Sequence, residues 1–360
     1  MQRVLMIGND SSVKGGITSI ITQMLNFNWE KKNIEMTFIP SYKGGNAIFK
    51  SLYFMYAFAK IIGISLLSKP NIIHMHMSYR GSFSRKYVLN KWFRLLNIPV
   101  IIHLHGSEFK KWYDSVSVKK QNQIRLLLRE SDSTIVLGEK WKKIIKEIEP
   151  NCKTVVVENS IVENSIVVPE YTIKWNSKMC RFLFMGVLIK RKGVHDLVEA
   201  VKNIAEQYPE KKFIFEIAGA GDEEISLKEL IEEYNLQSYF EFTGWVVGEK
   251  KEECYRRSNV MILPSYNEGL PISILEAISY GMPVIATDVG DISSAVRDGE
   301  NGYLFQPGDV SALTSAILKI NDKDKYVKFS RCSKDLAITK FNDGNFFDRI
   351  LNLYQKGSKE

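Results

Sequence analysis

The sequence predicts an α/β protein built from two doubly wound parallel sheets, and three observations predict it. Short apolar runs alternate with longer helical stretches along the whole chain. Glycine-bearing turns follow many of those runs, as at Gly15-Gly16, Gly219-Ala-Gly221 and Gly244. The rhythm breaks at residues 158–180, which are polar and contain a proline, and then restarts. A chain of 360 residues is too long for one ordinary core, so two domains are expected.

Taken in order, Arg3–Ile7 reads as a strand, followed by a loop to Gly15-Gly16 and a helix to about Leu25. Ile34–Ile39 is a strand. Leu52–Leu67 is a helix ended by Pro70, which cannot continue it. Strands at Asn71–Met75, Pro99–Leu104, Ser133–Leu137 and Thr154–Val157 alternate with helices at Arg85–Leu96 and Gln121–Glu130. After the break come strands at Arg181–Met185, Phe213–Ala218 and Phe240–Thr243, with helices at Gly193–Gln207 and Ile225–Tyr234. An aromatic-rich helix, Phe341–Leu353, closes the chain.

Composition is ordinary for a globular protein, with 45% hydrophobic and 25% charged residues. The net charge of +8 is unevenly spread. Residues 1–180 hold 26 Lys and Arg against 13 Asp and Glu, whereas the second half is net acidic. Residues 51–100 hold seven basic residues and no acidic one. The first half therefore faces something negative: nucleic acid, an anionic membrane or an anionic substrate. Cys152, Cys180, Cys254 and Cys332 have neither redox nor metal spacing, which fits reduced thiols in a cytoplasmic compartment. His74 with His76, and His103 with His105, lie on strand ends with no third ligand spaced to help, so no metal is expected. The chain opens directly on a strand, not a signal peptide. Leu52–Leu67, interrupted by Lys60, is shorter than the roughly 20 residues that span a bilayer and reads as a buried or interfacial helix.

The densest information lies in residues 260–290. Val260–Leu263 is a buried strand, Pro271 suits the first turn of a short helix, Gly281 suits the left-handed position past its end, and Met282–Thr287 is the next strand. Ligands of such sheets bind at the carboxyl ends of the strands, and a helix start offers free N–H groups to a phosphate. Glu268 sits in the loop before that helix. Glu276 follows about one and a half turns into it. Two carboxylate acceptors flanking an anion hole suit a ligand carrying both phosphate and hydroxyls, which is a sugar nucleotide. Gly15-Gly16-Ile17-Thr18 offers a second close backbone approach to phosphate, and Lys190-Arg191-Lys192 ends the first strand of the second half with three cations.

The string Glu268, seven residues, Glu276, with Gly-Leu-Pro after the first and Gly-Met-Pro-Val-Ile-Ala after the helix, closely resembles the signature of retaining family 4 glycosyltransferases. Asp298 to Asp309 resembles that family's next loop and strand, and the similarity covers most of the chain. The resemblance implies the GT-B fold, with two Rossmann-like domains facing across a cleft. Residues 1–165 would be the acceptor-side domain, 166–340 the donor domain and 341–360 a helix crossing back to the first. It implies that His105, in His-Gly after its strand, meets the donor sugar near the reacting centre, while His103 is structural. It implies that Glu268 holds sugar hydroxyls and Glu276 the ribose hydroxyls. Gly16, Arg191, Lys192 and the Gly269-Leu270 turn would stabilise the leaving diphosphate without a metal, and the Gly244–Val246 turn would lie by the base. One departure stands out: Val187 occupies the place of the family's arginine, and Arg191 is the candidate substitute.

The function implied is transfer of a sugar from a UDP- or GDP-sugar, with no other cofactor, to a hydroxyl of a lipid-linked or oligosaccharide acceptor in surface-polysaccharide assembly. The enzyme would be cytoplasmic and peripheral at the inner face of the membrane, its basic half against anionic lipid. Two other readings stay open. A sugar-nucleotide isomerase of the 2-epimerase type would share the phosphate-binding features. A non-catalytic basic binding protein would show salt-sensitive nucleic-acid binding, although no nucleic-acid motif is present. A dehydrogenase is disfavoured because the first loop lacks the dinucleotide fingerprint.

Overall fold

The computed structural model describes residues 1–161 and 180–356. They form two compact units. The first holds Met1–Glu158 and the residues from Phe346 on, and the second Asn159–Asn345. The expected domain boundary at 165/166 lies outside the described residues.

The first unit runs β1 (Gln2–Asn9), α1 (Gly16–Asn26), β2 (Ile34–Tyr42), α2 (Ala47–Leu67), β3 (Ile72–Met77), α3 (Gly81–Leu95), β4 (Val100–Leu104), α4 (Phe109–Ser115), α5 (Val118–Glu130), β5 (Ser133–Val136), α6 (Glu139–Ile148) and β6 (Thr154–Val156). Its six strands are parallel in the order β2-β1-β3-β4-β5-β6. Strands β3 and β4 are buried from end to end, as a sheet covered by helices on both faces requires.

The second unit runs β7 (Cys180–Met185), α7 (Val194–Gln207), β8 (Phe213–Ala218), α8 (Glu224–Glu233), β9 (Phe240–Phe242), α9 (Glu249–Arg257), β10 (Val260–Leu263), α10 (Ile272–Ser279), β11 (Val284–Thr287), β12 (Gly302–Phe305), α11 (Val310–Ile320) and α12 (Lys323–Thr339). Its sheet is also six-stranded and parallel, in the order β12-β11-β10-β7-β8-β9. The last helix, α13 (Asp343–Lys356), begins in this unit, and from Phe346 on it packs with the first. There Phe347 stacks on Phe27 at 3.8 Å, and Gln2 Nε2 donates to the Tyr354 carbonyl at 2.8 Å.

Helix α2 corrects one expectation. It begins at Ala47, capped by the Asn46 side chain, and reaches 21 residues, long and apolar enough to cross a membrane. It is not a buried helix. Only the stripe Ala57, Ile61 and Ser65 is buried, while Ile48, Leu52, Met55, Tyr56 and Leu67 face outward. Pro271 is likewise not inside its helix but caps it, with φ −67° and ψ 126°.

A buried ion network ties the second unit's sheet to its helices. Glu216 on β8 is fully buried and accepts from Arg257 Nε at 2.9 Å and Thr243 Oγ1 at 2.8 Å, with Arg181 Nη1 at 3.4 Å. Burial pushes its carboxyl up, but hydrogen bonds from Arg257, Cys254 and Thr243 outweigh that and hold it below the usual carboxylate range. A carboxyl depressed in the folded state adds stability that is present at neutral pH and is lost as pH falls through its folded value. Glu216→Gln should therefore cost about 1–3 kcal/mol at pH 7. In a thermal melt it should appear as a drop of several degrees that shrinks at acid pH.

Candidate functional site

In the second unit the candidate residues collect at the carboxyl ends of β7 and β10. Glu268 lies in the loop between β10 and α10 and is only 7% exposed. Its Oε1 accepts from Lys192 Nζ at 2.5 Å and from Ser265 Oγ at 2.8 Å, while Arg191 Nη1 lies 3.9 Å from Oε2. The two loops are laced together by backbone as well. Arg191 Nη1 donates to the Asn267 carbonyl at 2.9 Å, and the Tyr266 N–H to the Arg191 carbonyl at 2.7 Å. Two glycines permit close backbone approach here, Gly193 between these two loops and Gly290 from the loop after β11. Gly193 has φ +66°, and a Cβ there would collide with the Pro264 carbonyl. Gly290 has φ +55°, and a Cβ there would strike the Glu268 carbonyl.

Immediately after Glu268, the Gly269 carbonyl accepts from the Asp291 N–H at 2.9 Å, and the Leu270 carbonyl from Asn159 Nδ2 at 2.8 Å. The N–H groups of Gly269 and Leu270 donate no hydrogen bond among the described residues. They are thus available to an anion beside two cations and one carboxylate.

Glu276 is held separately, from α9. Lys251 Nζ lies 2.5 Å from its Oε1, and the Tyr255 hydroxyl donates to Oε2 at 2.8 Å. Tyr255 is buried and stacks on Tyr280 with centroids 5.3 Å apart. Burial, with Glu276 alongside, drives its phenol well above the usual range, so it remains a donor. Gly244, with φ +71°, and Val246 lie half-buried in the turn between β9 and α9, leading into the helix that grips Glu276. Ser265, Lys251 and Tyr255 escaped the sequence reading. Ser265 had a signal, standing three residues before Glu268, and Lys251 and Tyr255 share a helix face at i, i+4.

In the first unit, Gly15 has φ +135° and opens α1. The N–H groups of Gly16 and Ile17 have no hydrogen-bond acceptor among the described residues, and Thr18 Oγ1 is buried without a partner. His105 follows β4, half-buried, with its N–H on the Met77 carbonyl at 2.9 Å.

His105 belongs to a column of imidazoles that corrects the expectation of isolated pairs. The parallel register sets His76 beside His103, so β3 and β4 bring His74, His76 and His103 within 4.8 Å of one another at their nitrogens. His76 Nδ1 meets His105 Nε2 at 2.9 Å, His74 Nε2 meets His103 Nδ1 at 3.2 Å, and His74 Nδ1 meets the Tyr354 hydroxyl at 2.7 Å. His76 stacks on His74 and His103 at 4.8 and 5.0 Å, in planes 20° and 28° apart. Near-parallel rings at that spacing do not aim their lone pairs at one point, as coordination requires.

Burial holds His74 and His105 down to about 3, and His76 and His103 well below the usual range. All four imidazoles are therefore neutral at physiological pH. Their NMR signals should not titrate between pH 5 and 8; a midpoint there for His105 would contradict the geometry.

Residues 172–334 match the family of glycosyl transferases group 1. The chain is 27% identical over 342 residues to 2-deoxystreptamine N-acetyl-D-glucosaminyltransferase of Niallia circulans, covering 88% of this chain and 83% of that one. It is 24% identical to an Escherichia coli UDP-Gal:alpha-D-GlcNAc-diphosphoundecaprenol alpha-1,3-galactosyltransferase, over 89% of this chain and 84% of the other. Among solved structures, sucrose-phosphate synthase from Thermosynechococcus elongatus superposes with a TM-score of 0.83 at 19% identity, over 99% of both chains. The Anabaena protein HepE in complex with UDP superposes with a TM-score of 0.74 at 16% identity, over 99% of this chain and 100% of that one.

Proposed function

From a chain that is a glycosyltransferase of GT-B fold, with residues 172–334 belonging to the glycosyl transferases group 1, we propose a retaining enzyme. It moves a sugar from a nucleoside diphosphate to a hydroxyl of a lipid-linked or oligosaccharide acceptor in polysaccharide assembly. The observation that carries this reading is the paired grip of the second unit. Glu268 is fixed by Lys192 and Ser265 beside the unpaired N–H groups of Gly269 and Leu270, and Glu276 is fixed by Lys251 and Tyr255. The first cluster suits a diphosphate and sugar hydroxyls, the second the two hydroxyls of a ribose.

In this reading the bond from the sugar's anomeric carbon to the phosphate oxygen breaks. The diphosphate takes up the charge under Arg191, Lys192 and the Gly269-Leu270 amides, without a metal. The acceptor oxygen bonds to the same face of that carbon, and its proton passes to the departing phosphate oxygen. Arg191 supplies the charge absent at Val187, Gly16 opens a second phosphate contact, and the Gly244–Val246 turn meets the base. His105, neutral, offers a hydrogen bond rather than a charge to the sugar.

The donor panel is the direct test. UDP or GDP, without added metal, should raise the melting temperature in proportion to occupancy. Glu276→Ala and Tyr255→Phe should weaken that shift, the first by roughly tenfold or more in affinity and the second less. Glu268→Ala should abolish most turnover while the protein stays folded. Near-normal turnover in either glutamate variant would remove that residue from the site.

The membrane part of the reading rests on α2. Its outward row Ile48, Leu52, Met55 and Tyr56, flanked by Lys50 and Lys60 in a net basic half, suits an in-plane helix on anionic lipid at the inner face of the cell membrane. Binding to phosphatidylglycerol vesicles should fall sharply in Leu52→Glu/Tyr56→Glu, whereas UDP binding should not. Equal vesicle binding by that variant would move the contact elsewhere.

A further inference from the structure

The first unit carries a second group of cations that the donor reading does not use. Lys86 on α3 is fully buried. Its Nζ donates to Ser41 Oγ at 2.8 Å, and that hydroxyl donates to the Gly8 carbonyl at 3.2 Å. The ammonium thus reaches the carboxyl ends of β1 and β2. It forms no ion pair among the described residues, and burial, with Arg85 alongside, pushes it down to about 7. Arg85 is half-buried, with its guanidinium carbon 4.7 Å from the centre of the Tyr42 ring. Its Nε is buried without an acceptor, and it too has no carboxylate partner among the described residues. Lys50 Nζ lies 6.0 Å from the same Tyr42 ring. The acid of this corner is Asp10. It is committed to the Ser12 N–H and hydroxyl at 3.0 and 2.6 Å, with the Tyr53 hydroxyl at 3.3 Å.

A buried cation beside a half-buried one is costly unless an anion answers them. The apolar core could have taken leucine at position 86, and an aliphatic stem alone would have packed there. What the pair provides instead is a planar fork beside Tyr42 at the carboxyl end of β2, with a second cation on the neighbouring Ser41. That is the arrangement suited to a phosphate group, with Arg85 as the bidentate partner. The corner lies at the same end of the sheet as the Gly15-Gly16 turn and His105, where α/β sheets take their ligands.

We propose that Arg85, with Lys86 behind it and Lys50 beside it, binds a phosphate or diphosphate group carried by the acceptor. This rests on the transferase reading above and narrows its acceptor to one that bears phosphate near the hydroxyl receiving the sugar. The same chemistry could come from a bilayer headgroup, from free phosphate or from the donor. The test separates these with four probes: geranyl diphosphate, inorganic pyrophosphate, phosphatidylglycerol vesicles and UDP. Each is titrated by calorimetry or sedimentation against the full chain and two variants, Arg85→Gln and Lys86→Met.

Geranyl diphosphate and pyrophosphate should bind the unaltered chain, and Arg85→Gln should weaken both by roughly tenfold, with vesicle and UDP binding unchanged. Lys86→Met should act in the same direction. Because it alters a buried position, Arg85→Gln at the half-buried position decides the matter if Lys86→Met fails to fold. Unchanged diphosphate binding in Arg85→Gln would overturn the proposal. So would a loss confined to vesicles, which would make the corner a headgroup site, or a loss confined to UDP, which would make it part of the donor site. Absence of UDP binding by the unaltered chain would count against the donor reading instead, while the pyrophosphate titration would still decide the fate of Arg85.

Discussion

The second unit is organised around one carboxylate. Glu268 is nearly excluded from water and carries two cations from a different loop, so three charges share a small volume with a net excess of one positive charge. The ion pair sets the spacing of the two loops, and the spacing in turn leaves the Gly269 and Leu270 amides unpaired at the start of α10. The two loops could not approach with a side chain at Gly193, nor could the loop after β11 reach the Glu268 backbone with one at Gly290. The glycines, the ion pair and the free amides are therefore one device: backbone without Cβ atoms allows contact, charge fixes it, and the amides are left without acceptors. On the proposed donor reading, a diphosphate would meet preorganised donors here and need no reorganisation of the loop. A carboxylate among the cations also discriminates, because it accepts hydroxyl hydrogens where a second phosphate would be repelled.

The first unit solves its electrostatics in the opposite way. Its four histidines on and just after β3 and β4 are kept neutral by burial and are linked by hydrogen bonds in pairs, with His76 Nε2 and His103 Nε2 left without partners, so a column of titratable groups contributes no charge near neutrality. Tyr354 ends that column, which makes the last helix part of the first unit's polar core and not a surface addition. Against this neutral background Lys86 is a buried cation, and Arg85 a half-buried one, with no carboxylate partner among the described residues. Glu216 in the second unit shows how this protein treats a buried charge that is only structural. It is surrounded by Arg257, Arg181 and Thr243. The contrast is between a buried charge fully answered and one left open, and it is the open one that the phosphate proposal rests on.

How much of this could be read from residues alone depended on which force set each feature. Strands were legible because a parallel sheet covered on both faces writes itself as short unbroken apolar runs with glycine turns after them. The carboxylate pair was legible because the loop and helix that carry it are contiguous in sequence. Helix α9 was not, since Glu249–Arg257 is almost wholly charged and buries only Cys254 and Tyr255. With it went Lys251 and Tyr255, the partners of Glu276. Helix α6, with four lysines in ten residues, hides a buried stripe of Trp141, Ile145 and Ile148 at i, i+4 and i+7. The histidine column was hidden because its contacts depend on the register of β3 against β4, and residues 74 and 103 are neighbours only after the chain has crossed over.

Burial of a cation is the least legible feature of all. Lys86 follows Arg85 in a helix of mixed character, and in the one-dimensional pattern both belong to the solvated face of a basic protein. What removes Lys86 from water is the position of Phe83, Leu89 and Phe93, which turn α3 so that residue 86 falls on its buried side. Once that stripe is set, the ammonium has only the ends of β1 and β2 to reach for, and it finds a serine there in place of a carboxylate. The fold of the first unit therefore places two cations near the carboxyl ends of β1 and β2. The net excess of basic residues in this half then has two separable components. The exposed lysines around α2 act over a surface and are screened by salt. The Arg85–Lys86 pair acts at one point, in a low-dielectric corner where screening is weak, and so can select a ligand by where its charge sits.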